Sequence, residues 1–299
     1  MADLGYDNKV AIITGAGGGL GREHALLLAA RGARVVVNDL GGSVDGSGSD
    51  ASAAQAVVNE IEAAGGVAVA DHNSVATTEG GAAIVQTALD AFDGIDIIIN
   101  NAGILRDKTF HNMTDDLVTP VIDVHLKGAF YVAQPAWSHF REQGYGRVVN
   151  TSSSSGILGN FGQANYGAAK MGLVGLTRVM AAEGAKYNIK ANAIAPVART
   201  RMTEELLGPL ADQVDPASVS PVVAYLVHED CPVSGEIYSA GGGRVARFFI
   251  GMTEGWYDRG HSVEDVRDNF ESIRNEDGYT VPAGPAEEFM AMARKFSDS

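Results

Sequence analysis

The chain has 299 residues, of which 45% are hydrophobic and 20% charged, so it can bury one large core or two small ones. Its formal net charge of −15 argues against non-specific nucleic-acid binding, which requires clustered Lys and Arg. The single Cys231 excludes an internal disulfide and a multi-cysteine zinc site, and the His residues lack ligand spacing, so no metal is expected.

Short runs of β-branched residues alternate with longer segments rich in Ala and Leu. The runs predict strands near 10–13, 35–37, 67–69, 95–99, 147–150, 189–194 and 236–238, and the longer segments predict helices near 20–31, 51–64, 79–92, 115–142, 164–187 and 217–228. This alternation is typical of a parallel sheet that is buried on both faces. It predicts an α/β fold with a single Rossmann-like doubly wound domain, in which a seven-stranded parallel sheet is flanked by helices.

A glycine-rich turn joins the first predicted strand to the first helix, with the sequence Thr14-Gly15-Ala16-Gly17-Gly18-Gly19-Leu20-Gly21. Without side chains at Gly15, Gly19 and Gly21, the backbone can turn sharply and let a pyrophosphate approach the helix N-terminus. Glycine-rich turns are often nothing more than turns. The position between a strand and a helix is what predicts a dinucleotide site here.

Asp39 ends the second predicted strand, 24 residues after Gly15. A carboxylate at this position accepts hydrogen bonds from the adenosine ribose and repels a 2′-phosphate. Leu40 follows, with no Arg beside Asp39, so NAD is expected as the cofactor and NADP is not. The alternative interpretation is that Asp39 is an ordinary acidic residue near a turn, without a role in cofactor binding. The Gly/Ser-rich residues 41–49 that come next predict a surface loop inserted within the domain.

Tyr166 and Lys170 stand four residues apart on the fifth predicted helix, and this spacing places them on one face. A free tyrosine has a pKa of about 10, but a neighbouring ammonium favours the phenolate. We therefore expect Lys170 to lower the pKa of Tyr166 and make it an acid/base catalyst. Ser153 lies 13 positions before Tyr166, at the end of the fifth strand, and Ser152, Ser154 and Ser155 remain alternatives to it.

Together these motifs resemble the short-chain dehydrogenase/reductase family, through Thr14-Gly15-x-x-x-Gly19-x-Gly21, Asn100-Asn101-Ala102-Gly103, Ser153 and Tyr166-x-x-x-Lys170. Within the family the chain is most similar to the (3R)-hydroxyacyl-CoA dehydrogenase domains of peroxisomal D-bifunctional proteins. The resemblance implies that Ser153, Tyr166 and Lys170 are catalytic. It implies cofactor contacts from Gly15, Gly19, Leu20, Gly21, Asp39, Leu40, Ser74, Val75, Asn101, Ala102, Gly103, Tyr166, Lys170, Pro196, Val197 and Thr200.

Two positions depart from the family pattern. His125 stands where the family usually has an Asn that anchors a water linking the Lys to solvent, so we expect a rerouted proton path and a secondary catalytic role for His125. Ala195-Pro196-Val197 stands where Pro-Gly is common. The segment between Thr203 and Pro216 is a short lid, which suits a bulky substrate. Positive charge for acyl-CoA phosphates is available from Arg106, Lys108, Arg199, Arg201, Arg244 or Arg247.

The reaction implied is NAD-dependent interconversion of a secondary alcohol and a ketone, with a (3R)-3-hydroxyacyl-CoA as the leading substrate. A hydroxysteroid dehydrogenase of the 17-beta type is the first alternative. Reduction of an oxoacyl carrier protein is a further one, disfavoured by Asp39 because that chemistry usually draws on NADPH. A non-catalytic NAD-binding regulator is the alternative from another class, and the intact Ser153, Tyr166 and Lys170 argue against it.

After Gly243 the composition shifts to aromatic, Arg and acidic residues, and residues 263–273 have apolar positions at helical spacing. We therefore expect a dehydrogenase domain over 1–244 and a C-terminal extension over 245–299 that packs on the same domain or on a dimer partner. The family resemblance implies a homodimer or homotetramer through the long fourth and fifth helices. Because no apolar run nears a membrane span and no signal peptide is evident, a cytoplasmic location is expected.

Overall fold

A computed structural model describes residues 4–199 and 208–297 of the chain. These residues fall into two compact units, one ending at Arg247 and the other beginning at Phe248. The first unit contains the sheet with the helices on its two faces, and the second consists mainly of short helices. Among the described residues, no helix has both the length and the apolar character needed to cross a membrane.

The first unit is organised around a sheet with the strand order β3-β2-β1-β4-β5-β6-β7-β8. The strands are β1 (Val10–Thr14), β2 (Arg34–Asn38), β3 (Val67–Asp71), β4 (Ile97–Asn100), β5 (Gly146–Thr151), β6 (Ile189–Pro196), β7 (Ile237–Gly241) and β8 (Arg244–Phe248). The pairs from β3 through β7 are parallel, which confirms the predicted doubly wound α/β fold. The sequence pattern did not predict β8, which follows a turn at Gly242 and Gly243.

The sheet strands are apolar along their length because both of their faces are covered. In β1, Ala11 and Ile13 pack into the core on one face, whereas Val10 and Ile12 pack into the core on the other. Every residue of β1, β4 and β5 is buried. A strand with two buried faces is continuously apolar rather than alternating, which is why the sequence located these strands correctly.

The helices of the first unit are α1 (Gly19–Ala30), α2 (Ser52–Ala63), α3 (Thr78–Phe92), α4 (Asp115–Ile122), α5 (Gly128–Gln143), α6 (Ser154–Leu158), α7 (Ala164–Gly184) and α8 (Ser220–Val227). The single helix predicted over 115–142 is interrupted by a π-helical turn at Asp123–Lys127. Such turns occur frequently at functional sites, and this one contains His125. The short helix α6 was not predicted.

The second unit contains α9 (Val263–Asp268), α10 (Phe270–Arg274) and α11 (Pro285–Ser297). Ser262 caps α9 by accepting a hydrogen bond from the backbone N–H of Asp265, whose carboxylate bonds back to the N–H of Ser262. The apolar spacing over 263–273 predicted one helix, but the structure has two that meet at Asn269. Phe249 stacks on Tyr279 within this unit, with ring centroids 5.7 Å apart.

Candidate active site

A cavity of about 610 Å³ lies at the carboxyl ends of the central strands. Most of the residues that the sequence singled out line it: Gly15, Gly19, Leu20, Asp39, Leu40, Ser74, Val75, Asn101, Ala102, Gly103, His125, Ser153, Tyr166, Lys170, Pro196 and Val197. Gly21 does not line the cavity but packs beneath the turn, against the carbonyl of Gly15. Thr200 and Arg201 lie outside the described residues.

The glycine turn between β1 and α1 is packed tightly against the end of β4. Gly15 has φ +64°, and a Cβ there would lie 2.7 Å from the Cα of Ala102. The Nδ2 of Asn101 donates hydrogen bonds to the carbonyls of Thr14 and Gly15, each at 3.1 Å. Asn101 therefore fixes the turn, and Gly18, Gly19 and Leu20, at the start of α1, line the cavity.

Asp39 holds its carboxylate against this turn. Its Oδ2 accepts from the backbone N–H of Gly17 at 2.8 Å, and its Oδ1 accepts from that of Gly41 at 2.7 Å. A Cβ at Gly17 would lie only 2.8 Å from Oδ2, so the turn needs glycine there. Each carboxylate oxygen keeps a further lone pair, with which it can accept a ribose hydroxyl.

Asp71 is a buried site residue that the sequence analysis did not identify. Its carboxylate accepts from Asn38 Nδ2 (2.7 Å), from the N–H and Nδ2 of Asn73 (3.0 and 2.8 Å), and from Thr87 Oγ1 (2.7 Å). It thereby fixes Asn38 and Asn73, both of which line the cavity. The available signal was an acidic residue at the end of the third strand, which pairs in the sheet with Asn38, the residue directly before Asp39.

Lys170 is buried at the inner end of the cavity, and Tyr166 beside it is partly buried. The Lys170 Nζ donates to the carbonyl of Thr151 at 2.5 Å and lies 5.4 Å from the centroid of the Tyr166 ring. Burial lowers the pKa of Lys170 to about 7. Burial raises the pKa of Tyr166; the Ser153 hydrogen bond lowers it and the charge of Asp107 raises it further. The expectation that Lys170 lowers the pKa of Tyr166 is therefore wrong for this structure.

The four consecutive serines have different partners. The Ser153 hydroxyl lowers the pKa of Tyr166 and accepts from the N–H of Ser155 at the start of α6. Ser152 is buried, and its Oγ donates to the carbonyl of Lys170 at 2.7 Å. Ser154 and Ser155 line the cavity as well. Of the candidates, Ser153 is the serine that lowers the pKa of the tyrosine, while Ser152 anchors helix α7.

His125 is buried in the π-helical turn and packs edge-on against Tyr166, with ring centroids 5.1 Å apart. Its Nε2 accepts from the N–H of Ile104 (3.0 Å) in one tautomer and donates to the carbonyl of Ile104 (2.8 Å) in the other. Its Nδ1 is buried and has no hydrogen-bond partner among the described residues. Burial, together with the charge of Lys170, holds the pKa of His125 well below its usual value.

A second, small cavity of about 10 Å³ connects His125 with Lys170. Its lining includes polar side chains from the ends of β1 and β4, Thr14 and Asn100. A cavity of this size with polar walls accommodates one water molecule. Lys170 and His125, which both contact Tyr166, thus border the same small cavity.

The basic residues proposed for substrate phosphates differ in their surroundings. Arg106 lines the large cavity, but its guanidinium donates to the carbonyls of Asp45 and Asp116. Arg199 pairs with Asp212, and Arg247 pairs with Glu236. Lys108 and Arg244 are exposed. Exposed lysine and arginine are therefore available near the chain segments that follow β4 and β7.

Comparison with known proteins identifies the family. A sequence model of the short chain dehydrogenase family matches residues 9–208. The chain is 52% identical over 279 residues to a short-chain type dehydrogenase/reductase of Mycobacterium tuberculosis, covering 93% of this chain and 98% of that protein. It is 48% identical over 285 residues to peroxisomal multifunctional enzyme A of Dictyostelium discoideum, covering 95% of this chain and 64% of that protein.

Two further similarities concern substrate and structure. A hydroxyacyl-CoA dehydrogenase of Mycobacterium tuberculosis is 40% identical over 245 residues, covering 77% of this chain and 74% of that protein. The full-length peroxisomal multifunctional enzyme type 2 of Drosophila melanogaster aligns with a TM-score of 0.83 and 38% identity, over 99% of this chain and 50% of that one. The chain thus spans about half to two thirds of these multifunctional enzymes and nearly all of the mycobacterial dehydrogenase/reductase.

Proposed function

The chain belongs to the short-chain dehydrogenase family, and from this premise we propose that it interconverts (3R)-3-hydroxyacyl-CoA and 3-oxoacyl-CoA with NAD as its cofactor. It is an oxidoreductase of a family that uses a nicotinamide cofactor. The observation that carries the proposal is the meeting of Ser153, Tyr166 and Lys170 with the glycine turn and Asp39 in one cavity.

The residues around the cavity fit a dinucleotide. Its volume of about 610 Å³ lies within the range of cofactor pockets, and the turn backbone is open where a side chain would block the approach of a pyrophosphate. We assign the pyrophosphate to Gly15, Gly19, Leu20 and Gly21, at the N-terminus of α1. The remaining predicted contacts divide between the adenine and its ribose (Asp39, Leu40, Ser74, Val75), the central part (Asn101, Ala102, Gly103) and the nicotinamide end (Pro196, Val197, Thr200).

The carboxylate of Asp39 supports NAD over NADP. It lies against the glycine turn, held by two backbone N–H groups, so it cannot swing away from an incoming nucleotide. A 2′-phosphate at this point would face an anion, whereas ribose hydroxyls find an acceptor. We therefore assign NAD as the cofactor.

The bound nicotinamide ring supplies the hydride acceptor for alcohol oxidation. Tyr166 first gives its phenol proton to Lys170 in its neutral form, and the phenolate then takes the hydroxyl proton of the substrate as the carbon–oxygen double bond forms; the Ser153 hydroxyl positions the substrate oxygen beside it. Because the pKa of Lys170 is about 7, its ammonium can release and regain a proton near neutral pH. Lys170 passes the proton on toward the small cavity beside His125. We give His125 a supporting role in this transfer.

The acyl-CoA substrate is supported by the hydroxyacyl-CoA dehydrogenase among the relatives. The test is NADH formation from a (3R)-3-hydroxyacyl-CoA, compared with the same hydroxy acid lacking CoA and with 17-beta-hydroxysteroids. We expect turnover of the thioester alone. Turnover of the steroids in preference to the thioester would replace the substrate, and cofactor binding without turnover of any alcohol would indicate a non-catalytic regulator.

The proposal covers the dehydrogenase activity of this chain and its assembly into a homo-oligomer. Other activities of the multifunctional relatives belong to those whole proteins, of which this chain spans a part. We propose a homodimer or homotetramer built through α5 and α7, in which residues 245–299 pack on the domain or on its partner. The cytoplasmic location likewise stays a prediction, since the peroxisomal names belong to relatives.

A further inference from the structure

Residues 41–50, here called the strap, form a loop whose two ends meet. The backbone N–H of Asp50 donates to the carbonyl of Leu40 at 3.0 Å, which closes the loop directly after β2. The sequence predicted a surface loop here. In the structure, however, four strap residues line the large cavity: Gly42, Ser43, Val44 and Gly46. The strap is therefore a wall of the proposed cofactor site.

The far side of the strap is attached to the segment that follows β4. The N–H of Leu105 donates to the carbonyl of Val44 at 2.9 Å, and Gly46 packs against the side chain of Ile104. Because β2 and β4 are the two neighbours of β1, a connection between their following segments crosses above the end of β1. The glycine turn begins at that end, so the strap covers the region between the turn and the cavity mouth.

Arg106 ties this crossing to the catalytic helix. Its Nε donates to the carbonyl of Asp45 in the strap at 2.8 Å, and its Nη1 donates to the carbonyl of Asp116 in α4 at 2.6 Å. The carbonyl of Arg106 accepts from Asn165 Nδ2 at 2.9 Å, and Asn165 Oδ1 accepts from the N–H of Tyr166 at 2.8 Å. The two bonds that the Arg106 guanidinium donates are charge-assisted, and such bonds are stronger than neutral ones.

We propose that Arg106 is a positioning residue that latches the strap over the cofactor, so that a dinucleotide enters and leaves only when the strap opens. Opening breaks the Val44–Leu105 and Asp45–Arg106 bonds and leaves the buried core of the sheet intact. A loop rich in glycine and serine, held by a few exposed hydrogen bonds, opens at much lower free energy than the core does. The inference rests on the proposed dinucleotide site and deepens it.

The first test is the rate of NADH dissociation, followed by stopped-flow fluorescence, in the wild type and in Arg106→Ala. Loss of the two guanidinium bonds is expected to speed release by roughly tenfold and to raise the KM for NAD. The matched control is Arg34→Ala. Arg34 also donates to carbonyls of two separate segments, Phe92 and Asn8 at 3.1 Å each, but at the amino end of the sheet.

Wild-type release rates in Arg106→Ala, or equal acceleration in Arg34→Ala, would overturn the latch while leaving the proposed function in place. A wild-type protein that binds no NADH would overturn both. Thermal melting of each variant checks that a faster rate does not come from partial unfolding.

A second test locks the strap covalently with Gly46→Cys and Ile104→Cys. The Cβ built at Gly46 lies 3.6 Å from the Cβ of Ile104, within the range of about 3.5–4.5 Å seen in disulfides. The native Cys231 is buried and cannot compete. Because Gly46 has φ +84°, the comparison is made within one variant, oxidised against reduced. We expect NADH exchange to stop on oxidation and to return on reduction; equal exchange in both states would contradict the latch.

Discussion

Tyr166 and Lys170 are neighbouring ionisable side chains at the centre of the site, beside the buried His125. Burial disfavours the charged form of each, raising the pKa of the phenol and lowering that of the ammonium to about 7. The sequence supplied their shared helix face but not their burial, so it predicted the opposite direction for the pKa of Tyr166. The Ser153 hydroxyl lowers the pKa of Tyr166 and so offsets part of the increase that burial causes.

Replacing the phenol tests the proton step. Tyr166→Phe keeps the ring and its packing against His125 but removes the oxygen that takes the proton. We expect kcat to fall by roughly 10²–10⁴-fold, while the dissociation constant for NADH stays close to that of the wild type. The control is Tyr187→Phe, which alters a tyrosine away from the large cavity. Near-normal turnover of Tyr166→Phe would refute its role.

Asp39 determines the cofactor preference in this account. Asp39→Ser removes the anion while leaving a short polar side chain beside Gly17 and Gly41. Removing the carboxylate ends its repulsion of a 2′-phosphate and its hydrogen bonds to the ribose hydroxyls of NAD. We expect the ratio of kcat/KM for NAD to that for NADP to fall by roughly 10²-fold or more, which corresponds to about 3 kcal/mol. Asp90→Asn, on the exposed side of α3, serves as the control. An unchanged ratio in Asp39→Ser would assign the preference to another residue.

At the scale of elements, buried strands were predictable and irregular segments were not. The strands β1 and β4 are apolar runs because both faces are covered, and this signal survives in the sequence. The strap is built largely from glycine and serine, which carry no hydrophobic period, so its contacts with the cavity could not be predicted. The strand β8 is largely exposed and follows a glycine turn. Because the composition changes at this turn, the sequence analysis placed the end of the domain there and predicted no further strand.

The junction of α1 and α8 makes stability depend on pH. His24 of α1 is buried with its Nδ1 2.7 Å from Ser220 Oγ of α8, and burial lowers the pKa of His24 to about 3. In the unfolded chain the pKa is about 6.5. Between these two values the unfolded state binds a proton that the folded state does not, so the free energy of unfolding decreases as pH falls from 6.5 toward 3.

Urea unfolding at a series of pH values measures this effect. From pH 6.5 to pH 5 we expect His24 to account for a loss of about 2 kcal/mol, and His24→Leu should show a correspondingly flatter dependence. His125 contributes in the same direction, since its pKa is lowered too. His111→Leu, which removes an imidazole at an exposed position, serves as the control. An identical slope in His24→Leu and the wild type would contradict the assignment.

At the scale of the whole molecule, the exposed apolar side chains of α5 and α7 support self-association. Phe130 on α5 is 48% exposed and Val179 on α7 is 54% exposed. We expect a homodimer or homotetramer by light scattering after gel filtration, and a shift toward smaller species in Phe130→Arg with Val179→Arg. Val67→Arg on β3, which is 51% exposed, is the control. A wild-type monomer would refute the assembly.

The site as a whole combines parts that differ in how far the sequence reveals them. Spacing along the sequence is enough to predict the parts that lie at the end of a strand or on one face of a helix. These parts are the glycine turn, Asp39, Ser153, Tyr166 and Lys170. Asp71 and Arg106 act through hydrogen bonds to segments distant in the chain, and no local pattern marks such partners. Tertiary contacts of this kind become visible only when the strand ends are brought together.

The central claim is NAD-dependent oxidation of a (3R)-3-hydroxyacyl-CoA with Tyr166 as the base. The most direct measurement is NADH formation from the separate (3R) and (3S) isomers of one 3-hydroxyacyl-CoA, with NAD or NADP, in the wild type and in Tyr166→Phe. The account predicts NADH from the (3R) isomer with NAD, and its loss in Tyr166→Phe. Failure to oxidise the (3R) thioester, or equal oxidation by Tyr166→Phe, would contradict it.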